Sequence, residues 1–198
     1  AARDTGALSQ LRVVAWREGA EALFRPGRND DAYGAISALV REPAATGAAI
    51  ASARWLAASV RLDENDPLWN LDAASVLVAS PGAPEAALAL DALLAAEIEV
   101  PHLEAAFVRY RTRDNDAARA LYEAALDGSL GTLDHAVATF YLGALAERVS
   151  DGDLAIDYYG QTVSSLNAAT YLTDDALWWR GLLLEERGDY VSASAHFR

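Results

Sequence analysis

The sequence contains no cysteine, no methionine and no lysine. Without cysteine there is neither a disulfide framework nor thiolate chemistry, and the redox compartment is left unspecified. Without lysine, all 16 basic residues are arginines. Together with the abundant alanine and the missing methionine, this composition is the style of a high-GC bacterial gene, an inference about codons rather than physics. No uncharged apolar run reaches the length of about 18 residues that a membrane-spanning helix requires, and no signal peptide is visible. The chain begins at Ala1 rather than Met, so the compartment stays open between bacterial cytoplasm and periplasm. Enzyme signatures are also missing: there is no H-E-x-x-H zinc pair, no G-x-G-x-x-G, no P-loop and no G-x-S-x-G. His102, His135 and His196 stand apart from one another. The expectation is a protein that is not an enzyme and that carries no cofactor and no metal.

What is present is apolar and acidic. The 198 residues are 53% hydrophobic with mean hydropathy +0.04, ample for a buried core. The 29 acidic residues give a net charge of −13, which repels nucleic acid and anionic lipid at long range. Such a charge either keeps an Ala/Leu-rich chain soluble, the commoner reading, or favours a basic partner.

A repeat runs through the chain. Toward the C-terminus, Gly143 matches Gly181, Ala155 matches Ala193 and Tyr159 matches Phe197, each at an offset of 38 (181−143, 193−155, 197−159). One step back, Ala106, Ala118 and Tyr122 precede Gly143, Ala155 and Tyr159 by 37 each. Further upstream the register loosens. Ser75 and Ala87 precede Ala106 and Ala118 by 31, and Leu39 and Ala51 precede Ser75 and Ala87 by 36, with Trp55 in the aromatic slot.

Helix packing explains why these residue types recur. A Gly or Ala on one helix facing an Ala on the next allows close approach and ridge-into-groove crossing. One turn on, a large aromatic fills the wedge toward the following pair. Gly188-Asp189 has the composition of a tight interhelix turn. Pro67, Pro84 and Pro101 stand where helices should begin, and Asp174 and Asp175 are expected to cap one. Asp114-Asn-Asp116 and Asp151-Gly-Asp153 are superficially similar to calcium loops, but neither has the full alternation and closing Glu. Both fall where interhelix turns are expected, and Asn, Asp and Gly belong there for turn and capping reasons.

The succession of small residue, Gly-Asp-Tyr, Ala and aromatic resembles the tetratricopeptide repeat (TPR), whose units are about 34 residues long. The resemblance is strongest over 133–198, fair over 102–130 and weak before that. Asp91 in the aromatic slot and Ser150-Asp-Gly152 in place of a Gly-Asp turn depart from the pattern. It implies an all-α fold, an α-solenoid of antiparallel helix pairs wound as a right-handed superhelix. The expected layout is one solenoid over 1–198: an N-terminal helix in 1–30 (roughly Leu8–Phe24, ending at Pro26-Gly27), then repeats at about 31–66, 67–98, 99–134, 135–172 and 173–198. The last repeat is incomplete, stopping inside its second helix without a polar cap, so the chain is expected to be a piece of a longer array. A longer connector is expected around Ala168–Thr173.

The resemblance further implies that the first helix of each pair lines a concave, partner-binding wall. Carried over by position, that wall comprises Tyr33, Ile36 and Val40; Trp69, Asp72, Val76 and Ala79; Val100, Leu103, Phe107 and Tyr110; Val137, Phe140, Ala144 and Glu147; and Asp175, Trp178, Leu182 and Glu185. The candidate partner-binding set within it is Trp69, Leu103, Phe107, Tyr110, Phe140, Glu147, Trp178 and Glu185. Aromatic anchors of this kind are the usual hot-spot chemistry of protein interfaces. The plainer alternative is that many of them pack between adjacent first helices. Trp178 and Trp179 cannot both point one way on a helix, so one is expected in the core and the other exposed. The expected partner is a protein or a hydrophobic, mildly basic peptide, not nucleic acid. Recognition of a chaperone's C-terminal carboxylate is disfavoured, since apolar residues hold the positions where such TPR proteins present Lys, Arg and Asn. Arg109, Arg111, Arg113 and Arg119 cluster about one hairpin, either as a solvated face or as a receptor for an acidic partner. The alternatives to a scaffold are a homo-oligomer stacking through uncapped ends and a regulatory arm of a larger enzyme or secretion component. Among bacterial TPR proteins, adaptors fit the family-level analogy.

Overall fold

The computed structural model describes residues 2–24, 28–166 and 170–196. Phe197, Pro26-Gly27 and Ala168-Ala169 of the expected connector lie outside them, and the rest of that connector, Thr170 to Thr173, caps and opens a helix instead. The described residues are all-α: eleven helices and no strand. They run α1 (Ala2–Phe24), α2 (Asn29–Arg41), α3 (Gly47–Asp63), α4 (Trp69–Ala79), α5 (Pro84–Ala95), α6 (His102–Arg111), α7 (Asn115–Leu126), α8 (Thr132–Arg148), α9 (Gly152–Ser165), α10 (Tyr171–Glu186) and α11 (Tyr190–His196). The chain divides into two compact units, Ala1–Val100 and Pro101–Arg198.

Alanine and leucine dominate these helices, so intrinsic propensity already favours them. Their ends are set by local chemistry. Thr46 accepts a hydrogen bond from the Ala49 amide and caps α3, Asp151 accepts from Leu154 and caps α9, and Thr170 accepts from Thr173 and caps α10. Asp174 and Asp175 are therefore not caps; α10 has already begun at Tyr171. Pro84 opens α5 at a position where its missing N–H costs nothing.

Five helices close with one device. After α3, α5, α6, α8 and α10 a residue enters the left-handed region: Asn65, Glu97, Arg113, Ser150 and Gly188. Each time the next amide reaches back to the carbonyl five residues earlier, as Asp114 does to Arg109, Asp151 to Ala146 and Asp189 to Leu184. These are Schellman closures, which satisfy carbonyls the helix end would otherwise orphan. In the second unit each closure is followed at once by an aspartate: Asp114, Asp151 and Asp189. The calcium-like Asp114-Asn-Asp116 and Asp151-Gly-Asp153 are thus two copies of the turn seen at Gly188-Asp189.

In unit 1, α1 packs closely on α2 and α3 on α4, while α3 also touches α1 and α5. In unit 2, α6–α7, α8–α9 and α10–α11 form successive pairs, and α8 touches both α6 and α10. This is solenoid-like stacking of antiparallel pairs. The register read from sequence is realised here as packing. Ala106, Ala118 and Tyr122 are buried together with Leu142 and Leu145, and Ala155, Tyr159 and Ala176 form the next cluster. At Gly143 an added Cβ would sit 2.9 Å from the Tyr159 ring, so only glycine lets that ring lie on α8.

Candidate functional site

The first helices of the three pairs in unit 2 stand side by side as α6, α8 and α10, and a groove runs across them. Phe107 of α6, Val137, Phe140 and Tyr141 of α8, and Tyr171, Leu172 and Asp175 of α10 enclose about 250 Å³. Rings form its floor. Tyr141 lies 5.3 Å from Phe107, 4.8 Å from Tyr110 and 5.5 Å from Phe140, centroid to centroid. It also stacks nearly parallel on buried Tyr122, 5.6 Å away. Offset and edge-on contacts at these separations hold aromatic rings in defined orientations. Burial raises the Tyr141 phenol above its ordinary pKa, with Tyr110 and Tyr171 pushing the same way and Arg111 pulling back, so the groove floor is a neutral hydroxyl. At one wall the Arg111 guanidinium leans over the Phe107 ring, 6.0 Å from its centroid. At the other stands the exposed carboxylate of Asp175.

Tyr171, 76% exposed, and Trp178, 54% exposed, share the face of α10 that carries Asp175, being four residues before and three after it. Trp179 is 42% exposed, so neither tryptophan is core. The expectation of one buried and one exposed ring is corrected here. The buried stripe of α10 runs through Leu172, Thr173, Ala176, Gly181 and Leu184, and both tryptophans flank it.

The candidate residues scatter around this groove. Phe107 and Phe140 line it. Tyr110 lies beneath it, its ring between Tyr141 and Arg148, whose guanidinium is 3.7 Å from the centroid. Arg148 also donates to the Tyr110 carbonyl at 3.1 Å and to Asn115 Oδ1 at 2.7 Å, which clamps the end of α8 to the α6–α7 turn. Leu103 faces a different hollow, of about 360 Å³, with His102, Glu104, Leu130 and Asp134. Glu147 lines a third, of about 540 Å³, with Asp153, Ile156, Leu183, Glu186 and Arg187. Its carboxylate accepts a 2.8 Å hydrogen bond from the Tyr159 hydroxyl. Burial raises its pKa, the Tyr159 bond opposes that, and Glu186 adds to it. Glu185 is exposed on α10.

In unit 1 the wall positions turn inward. Trp69 is buried, at 9% exposure, and so offers little to a partner. Asp72 is buried on the α3–α4 contact, where Arg54 meets it at 2.7 Å and Arg61 at 3.3 Å. Ile36 and Val76 are core. Tyr33 lies beneath Arg61, 4.3 Å from guanidinium to ring centroid, and edge-on to Phe24. Sequence reading missed Tyr141 and Tyr171, although Tyr141 sits beside Phe140 and Tyr171 is one turn before Asp175; both were overlooked because the family pattern numbers neither as a wall position.

Among the described residues no cluster of His, Asp and Glu is arranged to hold a metal ion, and no helix is long and apolar enough to cross a membrane. His135 Nδ1 lies 3.0 Å from Ser165 Oγ, but that hydroxyl also donates to the Gln161 carbonyl, so the pair is a helix-to-helix tie rather than an activated nucleophile. Neither a scan of protein-family models nor a search of curated proteins finds a match to this sequence.

Proposed function

We propose that the chain is a protein-interaction scaffold of the tetratricopeptide kind, and that it holds a peptide or helix of a partner in the groove of α6, α8 and α10. The observation that carries this reading is the continuous aromatic lining of Phe107, Phe140, Tyr141 and Tyr171, contributed by the first helices of three successive pairs. A volume of about 250 Å³ matches one large apolar side chain with its backbone, the size of anchor that dominates protein interfaces. The repeat register supports the family reading.

The test is selection of a random 12-residue displayed peptide library on the intact chain. Enriched peptides are then titrated against a Tyr171→Ala/Trp178→Ala double variant. Both rings are more than half exposed and a melting curve verifies that the variant folds, whereas Phe140 packs on Tyr159 at 5.5 Å and its removal would damage the core. Binding should weaken about tenfold or more. Unchanged affinity in the folded double variant would remove the groove from the account.

A further inference from the structure

The groove has a charge at each wall, of opposite sign. Arg111 lies one turn beyond Phe107 on α6, with its guanidinium 6.0 Å from the ring centroid. Asp175 lies one turn beyond Tyr171 on α10 and lines the cavity directly. Between them the lining is apolar and aromatic, with Val137, Phe140 and Tyr141 of α8 in the middle. The neighbouring acid on α6, Glu104, faces the separate hollow beside His102 and Asp134, so it does not offset Arg111 here.

We infer that this groove selects a partner segment carrying a bulky apolar anchor flanked by an acidic residue on one side and an arginine or lysine on the other, laid so that the acid meets Arg111 and the base meets Asp175. The inference rests on the proposed peptide-binding role and adds polarity to it. An apolar slot by itself accepts any large side chain in either direction. Two opposite charges at its ends make one direction attractive and place like charges together in the other, so they confer register and direction more than affinity. Arg111 rests against the Phe107 face, which holds its charge near the groove. The chain's net charge of −13 biases encounter toward partners that are basic overall, which places the partner's base as the stronger of its two signals.

The same 12-residue library separates this inference from the reading beneath it. Selection is run on the wild-type chain, on Asp175→Arg, on Arg111→Asp, and on Tyr171→Ala/Trp178→Ala. Both charged side chains are exposed, so their substitution leaves the fold intact, which melting curves verify. Wild type should enrich peptides with an acid and a base on opposite, consistent sides of an aromatic or leucine. Asp175→Arg should convert the basic position to acidic and weaken wild-type-selected peptides about threefold to tenfold, the range of an exposed charge pair together with its reversal. Arg111→Asp should do the same at the acidic position. Apolar peptides without charge order, unaltered by either reversal yet lost in the aromatic double variant, would overturn the polarity while the groove stands. Peptides that bind all four proteins alike would overturn both.

Discussion

Unit 1 pins α3 to α4 with a buried carboxylate between two guanidiniums, Asp72 with Arg54 and Arg61. Unit 2 joins its helix pairs through small residues lying under aromatic rings, as Gly143 lies under Tyr159. The first device is a single specific contact, and the second is a geometry that can be copied. That difference explains why the repeat is clear in one region and faint in the other. A shared offset of 37 survives where successive pairs bury the same small–small–aromatic triplet, Ala106, Ala118 and Tyr122 and then Gly143, Ala155 and Tyr159. Offsets of 31 and 36 appear where an ion pair and the alanine-rich cluster of Ala35, Leu39, Ala53 and Ala57 hold the helices instead. In 67–98 the repeat slots miss the core: Ser75 and Ala87 are half-buried and Asp91 is exposed, while the core takes Ala73, Val76, Ala86 and Leu90.

The contrast breaks most visibly at Asp72. Asp72→Ala leaves two guanidiniums facing each other in a largely buried contact, and unit 1 should lose about 4 kcal/mol. Hydrogen exchange read by mass spectrometry should show the loss in α3 and α4 and no change in α8 and α9. Gly143→Val is the mirror experiment. It drives side-chain atoms into a ring held by its hydrogen bond to Glu147, so unit 2 should lose about 3 kcal/mol while protection in unit 1 stays as it was.

Gains should be smaller. Ser150 holds φ 61° where the equivalent turn after α10 uses Gly188, so Ser150→Gly should stabilise unit 2 by about 1 kcal/mol, seen as a higher denaturant midpoint at unchanged slope. The smallest effect is on pH. Burial places the Glu147 pKa in the folded protein above its unfolded value. Its contribution to stability is therefore complete below the unfolded pKa and lost as pH rises through the folded one. Compared with Glu147→Gln, the wild-type unit 2 should weaken slightly as pH is raised through the interval between these two values. An equal pH profile for the two proteins would show that Glu147 is not perturbed.

Much of the helix order was legible because alanine, leucine and charge set propensity locally and because glycine, proline and aspartate mark turns. What escaped was set by distant partners. Nothing local says that Arg113 and Ser150 adopt left-handed backbone, so the three Asp-bearing segments were legible as interhelix turns but not as one shared closure. Asp72 reads as a wall residue until α3 brings Arg54 and Arg61 to it. Trp178 and Trp179 read as a core ring beside an exposed one, because the narrow buried stripe of α10 is defined by what α8, α9 and α11 cover. The candidate groove was half legible. Phe107, Phe140 and Asp175 lie at wall positions, but Tyr141 and Tyr171 join them only through the spacing of three helices.

The central claim is that the wall of α6, α8 and α10 is the binding surface, and a footprint tests it most directly. A library-selected 12-residue peptide is bound to the whole chain, and amide exchange is followed segment by segment. Slower exchange concentrated in 102–111, 132–148 and 171–186, with α7, α9 and unit 1 unaltered, is the predicted result. Protection confined to α7, α9 and α11, or to unit 1, would contradict it.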